Sequence, residues 1–211
     1  MPGPARLPRP AKPIWFLLLS LPMAWLAIRW ALLLTGRDVP SLTAEPIKYS
    51  INYLGIWSIR MLLLSLAISP AAEWSGRRQI LALRRMTGLF AFTYVSVHLL
   101  FFFGFDLLFS VQLLLREIAR RRYILFGMGA FACLLPLAIT STRGWQKRLG
   151  GRRWLRLHRL VYLAAVLAAI HFLLLVKGNQ MEPWIYTGLF ALLLLLRLKR
   201  SKRPASARRT A

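Results

Sequence analysis

The chain has 211 residues, 57% of them hydrophobic, and carries 30 Lys and Arg against 6 Asp and Glu, for a formal charge of +24. A soluble domain of this length mixes the signs of its charges and is about half apolar, whereas here apolar runs near membrane-spanning length alternate with short basic clusters. The composition therefore argues against a soluble domain, and the placement of the cations at the ends of apolar runs makes them orientation signals rather than a nucleic-acid surface.

At 1.5 Å of rise per residue, roughly 20 apolar residues cross a hydrocarbon core of about 30 Å. Six segments qualify, at approximately 14 to 35, 49 to 69, 86 to 104, 123 to 141, 157 to 176 and 183 to 198. The expected fold is an all-α, polytopic membrane helix bundle of about six transmembrane helices. The first run follows Arg6, Arg9 and Lys12 as a signal peptide would, but it is too long and lacks a clear small-residue cleavage site, so it reads as an uncleaved helix. Residues 1–13 and 201–211 read as basic tails, and 14–200 as one membrane domain.

Counting cations on alternate sides sets the orientation. With the N-terminus inside, 21 basic residues fall on that side and 8 on the other, with Arg60 inside a span, so both termini are expected to be cytoplasmic. The cluster Arg120 to Arg122 is discordant, because this topology places it outside. Segment 107 to 122 is accordingly read as an amphipathic piece lying in the outer interface, its arginines reaching lipid headgroups.

The one cysteine, Cys133, lies in an apolar run and reads as a packing residue. A single cysteine rules out an intramolecular disulfide, a Cys-pair zinc site and C-x-x-C-H attachment of haem, so any haem is held non-covalently. The six carboxylates lie in loops or at segment ends and no pair is placed for acid-base work.

All three histidines fall in or beside spans: His98 in the third, His158 and His171 in the fifth. Ionisable groups at membrane depth point to function, and two neutral imidazoles on neighbouring helices can clamp a haem iron axially. The third and fifth spans run the same way, and His98 and His171 lie about equally far from the inner boundary, so they are expected at one level. His158 sits thirteen residues below His171, between Arg156 and Arg159, and reads either as a contact for an inner haem, quinone or flavin or as an interfacial cation. Arg60, mid-span, either meets a haem propionate or snorkels. The inner stretch from Thr140 through Arg143 and Trp145 to Trp154 can grip an anionic headgroup, a quinone or a flavin phosphate, or serve as a topology signal.

Three stretches carry a family resemblance: 83 to 89 leading to His98, 140 to 150, and 154 to 163 running to His171. Together they closely resemble the MsrQ haem-binding membrane subunits of bacterial protein-methionine-sulfoxide reductase systems, within the ferric-reductase-like transmembrane superfamily. The resemblance implies an inner-membrane subunit that passes electrons from the quinone pool or a cytoplasmic flavin reductase through haem b to a periplasmic molybdenum-containing reductase. It also implies an association with flavin mononucleotide (FMN), without a residue to mark its site. Relatives such as the NADPH oxidases carry two histidines on each of two helices, and this chain has one and two. That leaves one complete bis-histidine haem, a second being open at His158. Against this stand two other classes: a non-redox transporter or assembly factor whose histidines bridge helices, and a stand-alone quinol or metal reductase.

Overall fold

In the computed structural model, which describes residue 8 and residues 10–37, 42, 45–176 and 180–201, the chain is helical throughout, with no strand among the described residues. Of the residues used to set orientation, Arg6, Arg9, Lys177 and those beyond Ser201 lie outside this set.

Helix α1 (Ala11–Leu34) is followed by α2 (Pro46–Trp74), which opens on a proline at its first turn, where the missing N–H costs nothing. Gly76, at φ +66°, stops α2. A 3-10 turn (Arg78–Leu83) leads into α3 (Arg84–Leu99), and a π-helical turn (Leu100–Asp106) continues it, so that Arg78–Asp106 runs as one 29-residue rod. Helix α4 (Val111–Arg120) is capped by Ser110 and turns 119° into α5 (Tyr123–Ile139). Helix α6 (Arg143–Leu157), kinked at Gly150, bends 41° into α7 (Leu160–Leu175), and α8 (Glu182–Ser201) closes the bundle.

Three helices, α1, α2 and the Arg78–Asp106 rod, are each long and apolar enough to cross a membrane, and the bent pairs α4–α5 and α6–α7 bring the number to five. Helix α8, 20 residues or about 30 Å of rise, has an apolar run from Trp184 to Leu196 and makes about six. Large apolar side chains such as Ile14, Leu17, Leu21 and Ile28 on α1 stand exposed, the expected state of a lipid-facing surface. Helix α4 has the character expected of segment 107 to 122: it buries no residue, displays Val111 and Leu115, and pairs Glu117 with Arg121 at 3.1 Å. Its bend away from α5 takes it off the line of the span, so its arginines need not cross the bilayer.

The most extensive packing is between α2 and α3 and between α5 and α7. Lipid tails are as apolar as the core, so burial alone does not drive these contacts, and close approach between small residues matters more. Ala164 and Ala165 on α7 are fully buried, and Gly129 on α5 lies against Leu167.

Polar bonds tie α1 to the bundle at its interior proline, Pro22. Pro22 has no N–H to return to the preceding turn. Next to it, the buried Tyr94 hydroxyl of α3 donates to the Leu19 carbonyl (2.9 Å) and accepts from the Met23 N–H (3.1 Å). It bridges two groups that pair directly in an unbroken helix. The Tyr53 hydroxyl of α2 donates to the Pro22 carbonyl at 3.0 Å. Tyr94→Phe strands a buried donor and a buried acceptor, at a cost of about 1–3 kcal/mol. The expected result is a lower thermal midpoint of the detergent-solubilised protein, and an unchanged midpoint would refute the bridge.

Candidate functional site

His98, near the outer end of α3 as the sequence orients it, packs against Gly55 of α2, and its Nδ1 lies 2.8 Å from the carbonyl oxygen of Ile51. His171 of α7 repeats this on α5: the ring packs against Gly127, and Nδ1 lies 2.8 Å from the Tyr123 carbonyl oxygen. Tyr123 also meets the His171 ring edge to face, centroids 5.6 Å apart. Helix-rise arithmetic placed these two histidines at one level, and the structure gives each the same setting against its neighbouring helix.

A carbonyl oxygen only accepts, so in each ring Nδ1 carries the proton and Nε2 keeps its lone pair. This is the arrangement in which an outer carbonyl orients a metal-binding histidine and raises its basicity. Among the described residues no three His, Cys, Asp or Glu side chains gather to hold a bare metal ion. Two imidazole lone pairs suit a group that brings its own equatorial ligands and needs two axial ones, and haem is such a group.

His158 stands apart. It follows α6 and lies within electrostatic reach of Arg84, the first residue of α3, fourteen residues or about 21 Å of rise from His98 on that helix. Its Nε2 lies 3.3 Å from Thr140 Oγ1, and that hydroxyl spends its own proton on the Pro136 carbonyl at 2.6 Å. Nε2 therefore donates to Thr140, and a neutral His158 keeps its lone pair on Nδ1, the opposite nitrogen to the other two histidines. Trp154 stacks on the ring at 3.9 Å and donates its indole N–H to the Thr140 carbonyl at 2.9 Å. Thr140 and Trp154 thus fasten the α6–α7 bend to the end of α5. Of the same stretch, Thr142 caps α6, and Arg143 is exposed in its first turn.

Arg60 donates from Nε to the Tyr186 hydroxyl at 2.8 Å, and its guanidinium sits 4.8 Å from the Trp57 ring centroid. Its partners at membrane depth are a phenol and an indole. Sequence reasoning did not single out Gly55 and Gly127. A signal existed, since glycine inside a helix costs about 1 kcal/mol relative to alanine and needs a packing reason.

Residues 54–169 match the family described as the ferric reductase like transmembrane component. This gives the class that the helical bundle and its half-buried histidine pair define. Among curated proteins, the chain is 46% identical over 183 residues to the protein-methionine-sulfoxide reductase heme-binding subunit MsrQ of Rhodospirillum rubrum, covering 87% of this chain and 85% of that one. It is 42% identical to the protein of the same name in Caulobacter vibrioides, covering 98% of both, and 42% identical to that of Xanthomonas axonopodis pv. citri, covering 86% and 83%. The chain belongs to the MsrQ family of ferric-reductase-like membrane proteins.

Proposed function

We propose that this chain is the electron-carrying membrane subunit of a protein-methionine-sulfoxide reductase system and holds haem b between His98 and His171. The observation that carries this reading is the matched pair of imidazoles, each with Nδ1–H committed to a carbonyl and Nε2 left as a ligand. The names of the relatives, heme-binding subunits of such a reductase, support it.

When bound, haem b supplies a one-electron couple inside the bilayer. The chain supplies the rest. His98 and His171 would hold the iron through Nε2, and the carbonyls of Ile51 and Tyr123 fix their tautomers. Two imidazole ligands would leave the iron no open position for substrate, which suits an outer-sphere electron carrier over a reactive iron centre. Arg60 offers a cation to a propionate, and Arg143 and His158 stand at the other end, where they meet FMN or a quinone. In this reading both termini are cytoplasmic in a bacterial inner membrane. Electrons enter from the quinone pool or a cytoplasmic flavin reductase and leave to a periplasmic molybdenum-containing reductase that repairs oxidised envelope proteins.

A dithionite-reduced minus oxidised spectrum of the purified chain, with haem quantified per chain, tests the core of the proposal. A low-spin b-type spectrum is expected, and a folded but colourless protein would sink it. Reporter fusions after Lys177 and after Arg200 are expected to read periplasmic and cytoplasmic respectively. Same-side readings would overturn the orientation.

A further inference from the structure

Two helix pairs that share no evident repeat in residue identity carry the same small device. In α2–α3 and in α5–α7, a histidine of the second helix lays its Nδ1–Cε1 edge on a glycine of the first and bonds the carbonyl four residues before that glycine. Ile51 precedes Gly55 by four, and Tyr123 precedes Gly127 by four. Within an α-helix that carbonyl already accepts from the amide of the residue four further on, here the glycine itself. A carbonyl oxygen has a second lone pair, and an incoming N–H reaches it here by passing over the glycine.

A side chain at the glycine closes this approach. A Cβ on Gly127 would stand 2.8 Å from both Nδ1 and Cε1 of His171 and 3.3 Å from its Cγ. A Cβ on Gly55 would stand 3.3 Å from Nδ1 and Cε1 of His98. The first distance is too short for any carbon contact, so the ring must retreat and give up its bond to Tyr123. The second requires the ring to yield by a few tenths of an ångström. Neither contact can be relieved by a flexible chain end, because the obstructed group is the imidazole itself.

We propose that Gly55 and Gly127 are positioning residues that set the plane and tautomer of the two ligand imidazoles; this rests on His98 and His171 being axial ligands. Each glycine is a notch that fixes how far the ring approaches the neighbouring helix and therefore where its Nε2 lone pair points. The notch on α5 is the tighter of the two.

The test uses the full chain purified with its haem, in three variants: Gly127→Ala, Gly55→Ala and Gly129→Ala. Gly129 is on the same helix as Gly127, and its Cβ would meet Leu167 Cδ1 at 3.3 Å, so this variant carries a comparable packing change without touching an imidazole. Electron paramagnetic resonance of the ferric protein reads ligand orientation directly, and potentiometric titration reads its consequence for the couple. Gly127→Ala is expected to lose the wild-type low-spin signal or displace its g values. Gly55→Ala is expected to shift them less, with the midpoint potential following in the same order, and Gly129→Ala is expected to match wild type. If Gly127→Ala does not accumulate in the membrane, Gly55→Ala against Gly129→Ala decides the matter. Wild-type g values and potential in the glycine variants would overturn the inference. A low-spin signal that survives both His98→Ala and His171→Ala would instead overturn the ligand assignment beneath it.

Discussion

His98→Ala and His171→Ala are each expected to abolish the same low-spin haem signal, while His158→Ala leaves it largely in place. An iron with two imidazoles needs both, because losing either leaves a five-coordinate or vacant site. The two rings are identically prepared, Nδ1 bonded at 2.8 Å to a carbonyl in both. His158 precedes α7, thirteen residues before His171, and spends its Nε2 proton on Thr140. Its loss is expected to slow electron entry at that end and to loosen the α6–α7 bend, where Trp154 stacks on it. Equal accumulation of the three variants, judged by an epitope tag, makes the comparison fair. Loss of the main signal in His158→Ala with retention in His171→Ala would move the haem to the other end of the bundle.

The purified chain alone is expected to leave methionine sulfoxide unreduced, and turnover is expected only when a periplasmic reductase and an electron donor are supplied together. Removing a sulfoxide oxygen requires a centre that accepts the oxygen atom as well as electrons and protons. In the proposed site two imidazoles would occupy the haem iron, leaving it no position for that oxygen, and Cys133 is half-buried within α5. Enzymatic accelerations of 10⁶-fold or more need such positioned chemistry, so the contrast with and without the partner is expected to be all or nothing. The check is sulfoxide loss from an oxidised protein substrate, with dithionite or a reduced flavin as donor. Robust turnover by the chain alone would show that it is a reductase in its own right.

Much of this was legible in the residues. Apolar runs near 20 residues and the cations at their ends dictate a helical membrane bundle, because the bilayer punishes unpaired backbone groups and deep charges alike. Counting helix rise places His98 level with His171 and His158 below, since an α-helix is a ruler with a fixed step. The amphipathic character of 111 to 120 likewise follows from the order of its side chains.

What only the tertiary structure decided are the contacts between helices, which depend on rotation as well as height. No periodicity says that the ring of His171 faces Gly127 rather than Gly129, two residues and more than half a turn away. Nor does it say that Tyr94 fills the opening beside Pro22, that Arg60 finds Tyr186 across 126 residues of chain, or that Thr140 draws the His158 proton to Nε2. Hydropathy reports how deep a residue sits. Which neighbour it meets at that depth is set by the packing of whole helices, where a single absent methyl, as at Gly55 or Gly127, determines how closely two backbones and an imidazole can come together.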